Sequence, residues 1–422
     1  MRVLLSAWSF PGHINPMVPI ARALRERGHE TAFLTGRRGQ LTVERHGLPC
    51  FPFQHVDEDR IYAAVFSPRA RSFFSRAAIL NEWMLSTLPD QVRDHEEVCA
   101  AWKPDAVVCD ITMWGPTVVL RETRRLPVAV CSFAPGCMIP GPGVPPWGLG
   151  LPSPRGWKSR LLCRAAGAAS DLGVAGFRRD VNRIRAAYSL PPLHIPVHRF
   201  LADMPLYLVP SIPELDYDRA GLPPTVHYIG PLIWNDTKRV PRPEWMDTLR
   251  RDRPWIHVTE GTMHGGQPFL LEAAASGLSG LPLEVVMTTG GDRDPKAVNL
   301  AQAASNIRLE QWVPHTELFP HTSVVITTGG AGTILTALAA GIPLIIVPTE
   351  WDKPDNAQRV VEAGAAIRIS PRSCSPRNLR LGVEKLLSTE SYRTSARRLA
   401  ALLNRHDGPR EAAELIETIF ST

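Results

Sequence analysis

The sequence predicts an α/β protein made of two units, each built on a doubly wound parallel sheet. Two observations carry this: short apolar strands alternate with helical stretches in two separate series, and a proline-rich passage lies between them. The first series opens with Val3 to Ala7, a buried strand. Ile14 to Arg27 follows with apolar residues at helical spacing (Ile14, Met17, Val18, Ala21, Leu24), and Gly28 is its stop signal. Glu30 to Leu34, Ala106 to Cys109 with Asp110 at its end, and Val128 to Ser132 read as further strands. The second series is Ile256 to Val258, Leu283 to Thr288, Ile307 to Leu309, Val324 to Thr327 and Leu344 to Val347. The predicted division is an N-terminal domain over 1–215, a linker over 216–243, a second domain over 244–405 and a C-terminal helix over 406–422 that can pack back on the first domain. A chain of 422 residues is long enough for two such domains, and an apolar share of 44% fills two ordinary cores.

The net charge is +6, yet no run of five basic residues occurs, so nucleic acid is not an expected partner. Only six of the 47 basic residues are lysine, a bias that a GC-rich genome explains as well as a ligand does. Seven cysteines are scattered without a C-x-x-C pair. Reduced thiols in a cytoplasmic protein are expected, with no disulfide framework and no zinc site. The short apolar run Val3 to Leu5 soon meets Pro11, Gly12 and His13, unlike a signal peptide, and no stretch reaches the roughly 18 apolar residues of a membrane span. No stable membrane anchor is therefore expected. Oligomeric state is left open.

Residues 312–357 carry the strongest functional signal. Trp312-Val313-Pro314-His315 precedes the strand-like Val324 to Thr328, then Gly329-Gly330-Ala331-Gly332-Thr333, a helical stretch, a second strand and Pro348 to Ala357. A strand, glycine turn and helix place backbone N–H groups and a helix N-terminus where an anion can sit. Polar side chains follow at the next strand's end. That pattern suits a nucleotide diphosphate carrying a sugar.

Together with Gly12-His13-Ile14-Asn15-Pro16 after the first strand and Asp110 at the end of another, this block resembles the UDP-glycosyltransferase family. The likeness covers nearly the whole chain and is greatest to bacterial enzymes that glycosylate natural products. It implies inverting, metal-independent transfer and two Rossmann-like domains facing across a cleft, the GT-B fold. The N-terminal domain would bind the acceptor and the C-terminal domain the nucleotide sugar.

Glycosyl transfer to a hydroxyl requires removal of its proton, work to which histidine is suited near neutral pH. His13 is the candidate base, and Asp110 would accept its Nδ1 proton. Helix capping and strand-end roles are the bland alternatives. At the donor side, Gly329, Gly330 and Gly332 would let the backbone approach phosphate, with Thr333 adding a hydroxyl. Thr328 stands where the family usually has histidine. The string Thr259-Glu260-Gly261-Thr262 resembles a second phosphate-contacting loop, with Thr262 the donor contact and Glu260 unusual there. The resemblance places Trp312 and Val313 at the nucleobase and Asp352 and Lys353 at the sugar hydroxyls. Lys353 replaces the family's glutamine, so it only donates and carries charge. Thr336 occupies a position where many relatives hold ribose with glutamate. UDP and dTDP therefore both stay open, with a lean to dTDP. No cofactor is expected, since the nucleotide sugar is a co-substrate. The expected acceptor is an apolar small molecule near Trp83, Phe133 and Trp147, beside Phe73, Phe74 and the loop over 133–150, part of a Pro/Gly-dense segment over 133–160.

Rival readings exist. Asp292-Arg293-Asp294 mimics a metal-binding D-x-D, but one acidic pair around an arginine is a poor magnesium site. The first strand lacks G-x-G-x-x-G, which disfavours NAD. A nucleotide-sugar epimerase of the same architecture is one alternative. Another is a lipid- or carotenoid-type glycosyltransferase at a membrane surface, suggested by Arg160, Arg164 and Leu161-Leu162.

Overall fold

The structure is a computed structural model; it describes the whole chain except residues 68–77, 137, 140, 142–143, 174, 220, 234–241, 263–265, 291–292, 301–303 and 422. Phe73, Phe74 and Asp292 lie outside the described residues. Two compact units emerge. The N-terminal unit holds Met1–Trp147, Ser153–Leu232 and His406–Thr422; the C-terminal unit holds Gly148–Pro152 and Ile233–Arg405.

The N-terminal sheet contains β1 (Arg2–Ser6), β2 (Glu30–Thr35), β3 (Cys50–Pro52), β4 (Ala106–Asp110), β5 (Val128–Cys131), β6 (Leu206–Val209) and β7 (Val226–Tyr228). Their order is β3-β2-β1-β4-β5-β6-β7, and every pairing is parallel. Parallel strands covered on both faces read as continuous apolar runs, and Val107, Val108, Val128 and Val130 are fully buried. The C-terminal sheet contains β8 (Trp255–Thr259), β9 (Glu284–Thr288), β10 (Ile307–Glu310), β11 (Thr322–Thr327), β12 (Leu344–Ile346) and β13 (Ala366–Arg368), in the all-parallel order β10-β9-β8-β11-β12-β13. In each sheet the strand order reverses once, between β1 and β4 and between β8 and β11. Ligands of open α/β sheets gather at the carboxyl ends of strands beside such a reversal.

Eight helices matter below: α1 (Pro11–Glu26), α2 (Leu88–Trp102), α3 (Trp157–Gly173), α4 (Phe269–Leu278), α5 (Ala331–Ala339), α6 (Lys353–Glu362), α7 (Pro376–Ser388) and α8 (Gly408–Phe420). The predicted stripe Ile14, Met17, Val18, Ala21 and Leu24 is the buried face of α1. The helix starts three residues earlier than expected. Pro11 sits in its first turn, where a missing N–H costs nothing, and Pro16 and Pro19 are accommodated inside it. α4 and α7 close a core with Val258, Val285, Met287 and Ile326. α8 packs on α1, and Arg27 pairs with Glu414 and Glu417 there.

The passage read as a linker is structured in part. β7 lies within it, and the change of unit falls between Leu232 and Ile233. High proline content hid the last strands of the first sheet, β6 and β7. Both are short, and β7 is the edge strand of the sheet, where proline-rich flanks are tolerated.

Candidate functional site

The first candidate site lies where β1 and β4 run side by side. α1 follows β1, so His13 sits in the helix's first turn rather than in a loop before it. Asp110 ends β4. Its Oδ2 lies 3.2 Å from His13 Nδ1, and the two side chains are 2% and 7% exposed, Asp110 being the more buried. The contact is at ion-pair distance without the alignment of a hydrogen bond. Asp110 is otherwise well held: Oδ2 accepts the Trp8 N–H at 2.9 Å, and Oδ1 accepts the Thr112 N–H and hydroxyl at 2.7 and 2.5 Å. Burial alone pushes the Asp110 carboxyl up. The facing imidazole and these hydrogen bonds outweigh it and hold the group below its ordinary value. A carboxylate kept ionised beside a histidine fixes the ring's orientation and tautomer.

An aromatic wall surrounds the imidazole. Ring centroids of Phe133, Phe10 and Trp83 lie 4.3, 5.5 and 5.7 Å from it. Trp83 comes from a π-helical turn, Asn81–Ser86, and meets Trp8 and Phe10 edge-on. Of the three acceptor residues inferred from sequence, Trp83 and Phe133 are thus beside His13. Trp147 makes no ring contact with this group among the described residues.

The second candidate site lies where β8 and β11 run side by side. Thr328, Gly329 and Gly330 connect β11 to α5. Gly329 has φ +98°, and an added Cβ would meet Ile346 at 3.1 Å and Lys353 at 3.3 Å. Gly330 is the N-cap of α5, and no atom lies within 4 Å of a Cβ built on Gly330 or Gly332. One glycine is demanded by its own backbone, whereas the next two face open space at a helix N-terminus. Thr333 is half-buried in the same first turn.

Thr328 donates its hydroxyl hydrogen to the Glu260 carbonyl at 2.8 Å, so that hydrogen is directed to the neighbouring loop rather than outward. Glu260 itself is buried. Its carboxylate meets Arg293 Nη1 at 2.9 Å and accepts the Leu270 N–H at 3.1 Å. Burial pushes this carboxyl up, and Arg293, Leu270 and Lys353 moderate the rise. The central arginine of the D-x-D string therefore neutralises an acid. Asp294 accepts the Lys296 N–H at the start of a short helix. Thr262 ends the described part of the loop and is half-buried.

α6 supplies the remaining groups. Asp352 is its N-cap, and Asn356 Nδ2 donates both to Asp352 Oδ2 at 2.7 Å and to the Gly329 carbonyl at 3.1 Å. One amide thus ties the glycine turn to the first turn of α6. Sequence reasoning gave Asn356 no role, although its position four residues after Asp352 puts both on one helix face. Lys353 is 6% exposed; its Nζ donates to Thr349 at 2.9 Å and lies 3.5 Å from Glu350. Trp312 is half-buried and stacks on His315, with centroids 6.2 Å apart, while Val313 is buried. Thr336 donates to the Gly332 carbonyl of its own helix. A cavity of about 620 Å³ is lined by Thr322, Ser323, Thr336, Ile342, Arg393 and Arg397 among others. It opens toward the amino ends of β11 and β12, the edge opposite the glycine turn.

The chain has counterparts among known proteins. Residues 272–419 match the C-terminal domain model described as erythromycin biosynthesis protein CIII-like. The chain is 30% identical, over 99% of both sequences, to 4'-demethylrebeccamycin synthase of Lentzea aerocolonigenes. The chain belongs to the UDP-glycosyltransferase family. Among solved structures, the calicheamicin glycosyltransferase CalG4 superposes with a TM-score of 0.76 at 21% identity, covering 100% of this chain and 98% of that one. The Streptomyces sp. SF2575 glycosyltransferase SsfS6, in complex with thymidine diphosphate, gives a TM-score of 0.67 at 21% identity over 99% of both chains. Both parallel-sheet units of this glycosyltransferase are therefore those of the GT-B fold. No described helix is long and apolar enough to cross a membrane.

Proposed function

We propose that this glycosyltransferase moves a hexose, with inversion, from a nucleoside diphosphate sugar to a hydroxyl of an apolar natural product. The observation that carries the reading is the buried His13–Asp110 pair at 3.2 Å, set at the strand reversal of the first sheet. With Asp110 holding Nδ1 protonated, the Nε2 lone pair is the free base. It takes the acceptor's hydroxyl proton while that oxygen bonds to the anomeric carbon. The bond from that carbon to the diphosphate oxygen breaks on the opposite face, and its electron pair leaves with the diphosphate. Backbone N–H groups at Gly330 to Gly332 and the N-terminus of α5 stabilise the departing charge. The aromatic rings around His13 suit an apolar acceptor. Asp352 receives sugar hydroxyls, and Lys353 faces a carboxylate, another electronegative sugar substituent or phosphate. No step calls for a metal ion. The thymidine diphosphate bound by SsfS6, together with Thr336 turned to its own helix, favours dTDP over UDP.

Titration with dTDP and UDP, followed by soaking the tighter one into crystals, tests the donor half. Diphosphate density away from Gly329 to Thr333 would refute it. Lys353→Gln, assayed against a panel of donors, sharpens the sugar assignment. An unchanged donor profile would remove the carboxylate-facing role. Neither the relatives nor the site favours an epimerase.

One observation supports a second reading, in which the acceptor is lipid-borne. α3 exposes Trp157, Leu161, Leu162 and Leu172 at 72%, 60%, 71% and 78%, beside exposed Lys158, Arg160 and Arg164. An apolar stripe with basic flanks suits an anionic lipid surface. Cosedimentation with vesicles containing phosphatidylglycerol, lost in Leu161→Glu, would support it. No sedimentation at low salt would dismiss it.

A further inference from the structure

The five residues Gly148–Pro152 pack with the C-terminal unit, although Trp147 before them and Ser153 after them belong to the N-terminal unit. They form a strap across the first turn of α6. Both oxygens of Asp355 receive it: Oδ2 accepts the Gly148 N–H, and Oδ1 accepts the Gly150 N–H at 2.6 Å. Arg368 on β13 donates to the Gly150 carbonyl at 2.6 Å, and Arg359 on α6 donates to the Leu151 carbonyl at 3.2 Å. The strap's glycines are shaped to the fit. Gly148 and Gly150 have φ +84° and +59°, and a Cβ at Gly150 would lie 2.6 Å from the Pro354 carbonyl oxygen.

We propose that Asp355 is a positioning residue for the donor sugar: its two-oxygen grip on the Gly148–Gly150 strap sets the first turn of α6, and with it Asp352 and Lys353. The inference rests on the reading above, in which those two side chains hold sugar hydroxyls. Asp355 shares the first turn with Asp352 and Lys353, and Asn356 links that turn to Gly329. A charge-assisted contact from outside the helix is what keeps such a turn in one orientation. The grip is also proton-sensitive. Burial raises the Asp355 carboxyl to about 6, with neighbouring Asp352 adding to the rise and the two amides and Arg359 opposing it. The strap contributes no titratable side chain, and Arg368 reaches the same site from β13. A proton on Asp355 leaves two N–H donors facing only one good acceptor oxygen. The carboxyl is ionised above pH 6, so the grip is intact at neutral pH and weakens as pH falls through 6.

The test measures how much the sugar adds to binding: the dissociation constants of dTDP-glucose and dTDP, compared at pH 7.5 and 5.5. Asp355→Asn should weaken dTDP-glucose by roughly five- to tenfold while changing dTDP less than about twofold. The wild type should lose most, not all, of the sugar-specific part at pH 5.5, and the variant should not change further. Equal losses for both ligands, or no loss, would overturn the proposal. If Asp355→Asn does not fold, Arg368→Ala decides the matter, with a smaller loss in the same direction expected and no loss overturning it. Asp352→Ala separates this idea from its foundation. Should it leave the sugar's contribution intact, the sugar-site reading itself fails. Should it abolish that contribution while Asp355→Asn does not, only the positioning role fails.

Discussion

The two strand reversals of this glycosyltransferase are made of opposite materials. At β1/β4 the proposed chemistry lies in side chains: an imidazole and a carboxylate, both nearly buried and 3.2 Å apart. At β8/β11 the proposed chemistry lies in the main chain: Gly330 and Gly332 have open space where a side chain would stand, at the N-terminus of α5. The two positions tolerate different kinds of change. A site that relies on one proton-accepting side chain fails when that side chain changes. A backbone cradle shares its work among several N–H groups and fails mainly when the path of the chain changes.

Substitutions can break that contrast, and the largest effect is expected at His13. His13→Ala should lose on the order of 10²–10⁴ in kcat with donor binding unchanged, as for removal of a general base. A near-native rate in a steady-state assay would remove His13 from the mechanism. Next come the glycines. Gly329→Ala places a Cβ at φ +98° against Ile346 and Lys353, and should cost about 1–3 kcal/mol of stability, visible as a lower Tm. Gly332→Ala has open space and a helix-favouring residue, so Tm should hold or rise while donor KM increases. Equal behaviour of the two variants in melting and donor kinetics would erase the distinction between path and cradle.

The smallest effect concerns pH and the core beneath the second cradle. His257 on β8 is fully buried, and burial lowers its imidazole to about 3. The unfolded chain takes up that proton near the ordinary value of about 6.5. The neutral ring's contribution is therefore complete above that pH and shrinks as pH falls toward 3. His257→Leu should gain on the wild type by about 1.4 kcal/mol per pH unit below 6.5, read from urea midpoints at pH 7 and 5. A constant difference between the two proteins would refute the buried neutral state.

Sequence made the first reversal legible because its evidence is chemical. His13 after one strand and Asp110 at the end of another are residue types with a task, and alternating apolar runs put both at the same sheet edge. The glycine turn was legible by spacing. What stayed hidden depends on three-dimensional closure. Arg293 looked like the middle of a metal motif, and only the fold brings it to Glu260. Asn356 is an unremarked amide until Gly329 is seen to lie within its reach. The start of α1 was misplaced because proline is a strong breaker signal, and here the first turn absorbs it. The strap escaped notice because a Pro/Gly-dense loop has no periodicity to read.

The helix at the chain's end has a consequence for how the protein is made. α8 completes the N-terminal unit, packing on α1 and joined to Arg27 through Glu414 and Glu417. Translation delivers α8 only after α1 and the entire C-terminal unit. The packing of α8 on α1 can therefore form only after the C-terminal unit has been synthesised. Domains usually fold in the order of their synthesis, but in this molecule the unit begun first is the one finished last.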